Sequence, residues 1–223
     1  MTYHQILSEL KKRQFRPIYF LHGGEAYFID AISDHIEANA LSEAEKAFNQ
    51  SILYGKEVDH LTVLDYARRY PMMAERQVVI LKEAQEMKDL KDLEKYVDKP
   101  MPTTILVICH KHKPFNESTK FGKLLKEKAV VFDSKKLYDN QVPEWVTEYV
   151  QSHSLKISQN AADLLAEYLG TDLSIVSHEL DKLALHLKPG AEITTKHVEQ
   201  HVGISREYNI FELQKAVGNR DVA

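Results

Sequence analysis

Cysteine and long apolar runs are scarce in this 223-residue chain. Its one cysteine, Cys109, excludes an internal disulfide framework and is typical of proteins kept in a reducing compartment. No apolar run approaches the ~20 residues that a membrane-spanning helix needs. The polar start, Met-Thr-Tyr-His-Gln, is not the pattern of a signal peptide. We therefore expect an intracellular, cytoplasmic protein without a membrane partner.

Glycine and net charge are low as well. The chain has 8 glycines, against roughly 16 at an average usage of ~7%, so loops that wrap a ligand with bare backbone are scarce. The formal net charge of -4 provides no general attraction to nucleic acid or to a membrane surface. The scarcity of glycine weakens the case for a nucleotide-binding enzyme.

The residues that are present fit a globular protein, and the first 140 of them alternate between strand-like and helix-like patterns. The strand candidates are short and apolar, which is typical of strands covered on both faces of a parallel sheet. They lie at 17–22, 50–54, 77–82, 103–109 and 129–133. Helical patterns occupy 3–14, 25–39, 58–70, 83–98 and 116–127. This order predicts a three-layer α/β domain with right-handed crossovers.

After about residue 140 the pattern changes to helices without intervening strands. Four short helices are predicted, at 142–153, 158–169, 173–187 and 194–201. The third carries Leu173, Val176, Leu180, Leu183 and Leu187 on one stripe. A further amphipathic helix starts near Asn209, and we expect its apolar face to pack against a following domain.

Residues 19–30 have the layout of a nucleotide-binding phosphate loop without its chemistry. An apolar run leads into Gly23-Gly24 and then an amphipathic helix, as in a strand–loop–helix P-loop. A working loop needs Gly-x-x-x-x-Gly-Lys-Ser/Thr, whose lysine holds phosphates and whose hydroxyl binds magnesium. Counted from Gly23, those last three positions hold Phe28, Ile29 and Asp30. An aspartate there would repel a phosphate, so we expect no bound nucleotide cofactor.

Acidic residues for magnesium are also missing from the ends of the later strands. The 103–109 strand leads into Cys-His-Lys, and the 77–82 strand is followed only by Glu83. His110 and His112 could pair on a metal, but no third ligand has a convincing spacing, so we expect no metal site. Cys109 ends an apolar run and is expected to be a buried small hydrophobe rather than a nucleophile.

Four segments, taken together and in order, resemble the delta subunit of bacterial DNA polymerase III. They are 19–30 (YFLHGGEAYFID), 70–81 (YPMMAERQVVIL), 178–185 (HELDKLAL) and 209–223 (NIFELQKAVGNRDVA). The resemblance implies an AAA+-like first domain that has lost ATP binding, a small all-α lid and the start of a helical collar domain. We assign these to 1–140, 141–205 and 206–223.

The resemblance also implies a role and partners. Members of this family open the sliding clamp during DNA replication and do not hydrolyse ATP themselves, although their holoenzyme is a nucleotidyltransferase. The expected partners are the sliding clamp (beta subunit), the gamma/tau and delta prime subunits, and primer-template DNA within the complex.

Met72 and Met73 are the clamp-contacting residues that the resemblance implies, because the family carries two adjacent large apolar residues just before the third strand. Many relatives have Leu-Phe there, so the affinity of this chain could differ. The residues support the same role independently, since an exposed pair of flexible, polarisable methionines marks an adaptable partner surface.

A lysine-rich stretch from 110 to 128 includes Lys111, Lys113, Lys120 and Lys123. It could face DNA phosphates in the central chamber of the loader, or it could be an ordinary solvated helix surface. Two other functions stay open at this point: a P-loop-type ATPase with an atypical loop, and a helicase-like or regulatory nucleic-acid-binding protein.

Overall fold

The computed structural model describes residues 1–113 and 115–202. The chain divides into two compact units, the first ending at Lys136 and the second beginning at Leu137. Each unit is described by itself. None of the helices in the described ranges is both long enough and apolar enough to cross a bilayer.

The first unit is built on a five-stranded parallel sheet, and all five strands predicted from the sequence are confirmed. The strands are β1 (Ile18–Gly23), β2 (Gln50–Tyr54), β3 (Gln77–Lys82), β4 (Thr104–Lys111) and β5 (Val130–Ser134). Their order across the sheet is β2-β3-β4-β1-β5. β1 therefore lies between β4 and β5, with His22 level with His110 on one side and with Asp133 on the other.

Helices surround this sheet, at α1 (Tyr3–Lys11), α2 (Ala26–Asn39), α3 (Glu43–Asn49), α4 (His60–Ala67), α5 (Glu94–Asp98) and α6 (Lys120–Lys128). Side chains that alternate along each strand enter two separate cores. Phe20 and Leu81 belong to one core, while Tyr19, Leu21 and Ile80 belong to the other. All of these are buried, and each such side chain contributes roughly 1.5–3 kcal/mol. The apolar runs are thus explained by burial on both faces, as expected for a three-layer α/β domain.

One helix prediction in this unit was wrong, and one helix was not predicted. The single helix predicted at 83–98 is replaced by 3-10 turns at Ala84–Glu86 and Leu90–Leu93, followed by the short α5. Glu83 has a left-handed backbone (φ 54°) that interrupts any helix entering from β3. The prediction also missed α3, although Ser42 and Glu45 form the capping box that starts it.

The second unit is helical, with α7 (Val142–Ser152), α8 (Gln159–Leu169), α9 (Leu173–Leu185) and α10 (Thr195–His201). Contrary to the expectation that this part has no strands, β6 (Lys156–Ile157) and β7 (Glu192–Ile193) form a two-residue parallel ladder. The predicted stripe on α9 is buried at Leu173, Val176, Leu180 and Leu183. Leu187 lies beyond the end of α9. The helix predicted from Asn209 lies outside the described residues.

Candidate interaction site

The turn after β1 is too short to surround a phosphate group. β1 ends at Gly23 and α2 begins at Ala26, so Gly24 and Glu25 alone connect them. Gly23 has φ 131°, and a Cβ atom there would lie 2.2 Å from the carbonyl oxygen of Ser134. This glycine is therefore needed for close packing against β5. That role explains why the first glycine of the phosphate-loop motif is present although the later positions depart from the motif.

Glu25 occupies the N-terminus of α2, which is where a helix of this layout would bind a phosphate. Its side chain accepts a hydrogen bond from the Tyr27 amide at 3.1 Å. The Glu25 backbone is held from both sides, because its amide donates to the Ser134 carbonyl and its carbonyl accepts from Ser134 Oγ at 2.7 Å. With Glu25 nearly buried, the chain supplies its own anion at this position.

The three positions that would complete a phosphate loop have structural roles instead. Phe28 packs against Tyr3, with ring centroids 4.7 Å apart. Ile29 is fully buried in the core. Asp30 forms an ion pair with Lys111 at the end of β4. None of the three side chains offers a positive charge or a hydroxyl to a nucleotide.

The end of β3 carries a cation where a magnesium-binding carboxylate would be needed. Lys82 Nζ lies 3.2 Å from Glu37 and 3.7 Å from Asp34, both on α2. Burial acts to lower the pKa of Lys82, but the hydrogen bond and charge of Glu37, together with Asp34, outweigh it and raise the pKa. Lys82 is thus a firmly charged partner of α2.

Met72 and Met73 lie on the loop of residues 68–76 between α4 and β3, which we call the dimethionine loop. Their side chains are 57% and 98% exposed. Tyr70, on the same loop, is 80% exposed. Met73 has a left-handed backbone (φ 52°), a conformation that costs about 1–3 kcal/mol in a residue other than glycine. Neighbouring exposed apolar side chains on a loop with a strained backbone are typical of a partner-binding surface.

Buried side-chain amides hold this loop at two points, one near its start and one in its middle. Asn49 pairs with Met72, donating from Nδ2 to the carbonyl at 2.9 Å and accepting from the amide at 2.6 Å. Gln77 Nε2 donates to the carbonyl of Arg69 at 2.6 Å. Sequence reasoning missed both residues. For Asn49 the reason is that a contact with a residue 23 positions away leaves no local pattern.

Most of the predicted DNA-facing lysines have acidic partners. Lys111 pairs with Asp30, Lys113 with Glu86 at 2.7 Å and Lys120 with Glu94 at 2.5 Å. Lys123 is exposed, and no ion pair involves it within the described ranges. The net positive charge that this stretch presents to a polyanion is therefore small. DNA contact through these lysines remains a prediction.

Cys109 and the His110–His112 pair were the other residues considered for a chemical role, and their positions in the fold decide what they can do. Cys109 is fully buried, which raises the pKa of its thiol to about 11 and confirms it as a small core hydrophobe. His110 is buried, whereas His112 follows β4 on a left-handed backbone. Three possible metal-ligating side chains come together elsewhere, at His60, Asp89 and Asp92.

The fold and the site together define a class. A parallel sheet in the order β2-β3-β4-β1-β5, with a short turn where a phosphate loop would follow β1, is an AAA+-like α/β domain with a degenerate P-loop. The family model for the DNA polymerase III delta subunit matches residues 19–135, which is more than half of the chain. A second model, described as a middle domain, matches residues 139–200. The chain belongs to the DNA polymerase III delta subunit family.

Two relatives extend this comparison. DNA polymerase III subunit delta of Bacillus subtilis (strain 168) is 28% identical over 225 residues, which cover 96% of this chain and 65% of the relative. The structure of the Bacillus subtilis DNA clamp loader delta protein matches with a TM-score of 0.80 and 27% identity, covering 98% of this chain and 67% of that one. This chain therefore spans about two thirds of the length of its relatives.

Proposed function

We propose that this chain binds the sliding clamp through Met72 and Met73, as the clamp-opening component of a clamp loader. Its family and its similarity to a DNA clamp loader delta protein support the proposal. The observation that carries it is the exposure of two adjacent methionines on a loop whose backbone is anchored to the domain.

The energetics of such a contact are favourable. Burying one Met side chain at an interface contributes roughly 1.5–3 kcal/mol, and binding energy concentrates in a few central anchors of this kind. The two side chains together would therefore supply about 3 kcal/mol or more. Because the Met72 backbone is already hydrogen-bonded to Asn49 in the free chain, little of that energy is lost in arranging the loop.

We propose further that the chain itself neither binds nor hydrolyses ATP. The carboxylate of Glu25 lies at the N-terminus of α2, and the would-be lysine position is the buried Ile29. Lys82 replaces a magnesium-binding acid at the end of β3. The subunit is then non-catalytic, and ATP-driven events in other subunits of the loader expose or cover its clamp-binding loop.

Clamp opening follows from differential binding. A protein that binds the opened or distorted ring more tightly than the closed ring shifts the equilibrium toward the open form by that difference in affinity. No chemistry in this chain is required. Within the assembled loader, Lys123 and its neighbours could then face primer-template DNA.

The test is to mix the chain with the sliding clamp of the same organism on a sizing column, with and without Mg-ATP. We expect a complex that forms equally well in both conditions. In parallel, an ATP titration of the chain alone should show no binding. Micromolar ATP affinity would favour the ATPase alternative, and tight, salt-dependent binding of DNA by the isolated chain would favour a nucleic-acid-binding protein.

A further inference from the structure

Asn49 is a buried polar residue that contacts the dimethionine loop from a distant part of the sequence. It is the last residue of α3, where the chain enters the edge strand β2. It is 4% exposed. Its Nδ2 donates to the Met72 carbonyl at 2.9 Å, and its Oδ1 accepts from the Met72 amide at 2.6 Å.

This pairing fixes the loop more firmly than one hydrogen bond could. One planar amide binds both polar groups of the Met72 backbone, and so it restrains the two peptide units on either side of the Met72 Cα atom. Gln77 holds the loop near its start, by donating a hydrogen bond to the Arg69 carbonyl. Met73 follows directly with its left-handed backbone, which persists only where the surroundings determine it.

We propose that Asn49 is a positioning residue, which holds the dimethionine loop in its partner-binding shape before any partner arrives. This inference rests on the proposed clamp contact. A loop that adopts the competent shape only part of the time binds with a correspondingly higher apparent Kd. If the loop without its anchor were competent about a tenth of the time, the affinity would fall about tenfold.

A purely local role for Asn49 makes a different prediction. Nδ2 also donates to the Glu45 carbonyl at 3.1 Å, which is a bond within α3. If that bond were the whole purpose of the residue, its removal would affect the stability of α3 and leave the loop unchanged. Asn39 offers a matched control at the end of α2, because among the described residues its Nδ2 donates just to the His35 carbonyl, at 2.9 Å, which is the equivalent local bond.

The first measurement is hydrogen exchange at the Met72 amide in the free chain. We expect this amide to be protected in the wild type and to lose its protection in Asn49→Ala, with no change in Asn39→Ala. Asn49→Asp keeps the shape and the acceptor for the Met72 amide, and it should retain part of the protection even if Asn49→Ala folds poorly. A Met72 amide that exchanges equally in the wild type and in all variants overturns the inference without reference to the clamp.

The second measurement is clamp affinity in a double-mutant cycle. We expect Asn49→Ala to weaken clamp binding about tenfold in the wild-type background and to have no further effect in the Met72→Ala, Met73→Ala background. Equal weakening in both backgrounds would show that Asn49 does not act through the methionines, and it would overturn the inference while leaving the proposed function intact. If the methionine variant itself binds the clamp normally, the proposed function fails, and the exchange data still report whether the anchor exists.

Discussion

Replacing the two exposed methionines, Met72 and Met73, should leave the stability of the fold almost unchanged. Replacing the buried Met87 should lower it. Met73 is 98% exposed and Met72 57% exposed, whereas Met87 is 6% exposed within the core that includes Leu81 and Leu90. Surface substitutions usually change stability by no more than ~0.5 kcal/mol each. Truncating a buried Met to Ala removes apolar contacts and leaves a cavity, at about 2–5 kcal/mol.

Urea unfolding of three proteins tests this contrast: the wild type, the variant with Met72→Ala and Met73→Ala, and Met87→Ala. We expect the free energy of unfolding of the double variant to lie within about 1 kcal/mol of the wild-type value. Met87→Ala should lose at least about 2 kcal/mol, and the slope of the free energy of unfolding against urea concentration should be similar in all three proteins. A double variant that loses as much as Met87→Ala would show that the methionines are core residues. In that case any loss of clamp binding would reflect unfolding.

Three other predictions follow from single contacts. Gly23→Ala should destabilise the chain by about 1–3 kcal/mol through backbone strain, and the clash of the new Cβ atom with Ser134 adds to this loss. In Gly24→Ala the new Cβ atom meets the Lys136 side chain at 3.3 Å, so this variant should be tolerated. Equal thermal stability of the two variants would contradict this prediction. Cys109, with its thiol pKa raised to about 11 by burial, should not react with a thiol reagent at pH 8 unless urea is added, and rapid reaction in the native chain would place it at the surface. The hydrogen bond between His60 and Asp89 raises the pKa of His60. The stabilisation of the fold by this contact should therefore be complete below the unfolded pKa near ~6.5 and be lost as the pH rises through the higher folded pKa. The free energy of unfolding in urea, measured against pH, should lose this pH dependence in His60→Gln, and an identical pH profile in the two proteins would exclude the contact.

The sequence was most informative where burial imposes a simple pattern. The five strands could be predicted because residues such as Tyr19 and Phe20 are buried on opposite faces of one sheet, which makes each strand apolar throughout. The departure from the phosphate-loop motif could also be seen in the sequence, since Ile29 and Asp30 stand where the motif has a lysine and a hydroxyl. The exposure of Met72 and Met73 was predicted correctly because they precede a strand whose own apolar run starts later.

Features that depend on tertiary contacts could not be predicted in the same way. The left-handed turn at Glu83 breaks a segment whose composition favours a helix. The anchoring of Met72 by Asn49 joins two segments that only the packing of α3 beside β2 and the loop brings together. Lys111, at the end of β4, is likewise paired with Asp30. The sequence alone does not show this ion pair, and without it the lysine looks available for DNA.

The most direct test of the proposed function is a binding isotherm between this chain and its sliding clamp, measured for the wild type and for the variant with Met72→Ala and Met73→Ala. Leu185→Ala, at another side chain that is 83% exposed, serves as the matched control. Losing about 3 kcal/mol of interface burial should weaken binding roughly a hundredfold at ~1.4 kcal/mol per decade, with no change for Leu185→Ala and no dependence on Mg-ATP. Wild-type affinity in a well-folded double variant would remove the methionines from clamp binding and contradict the proposal.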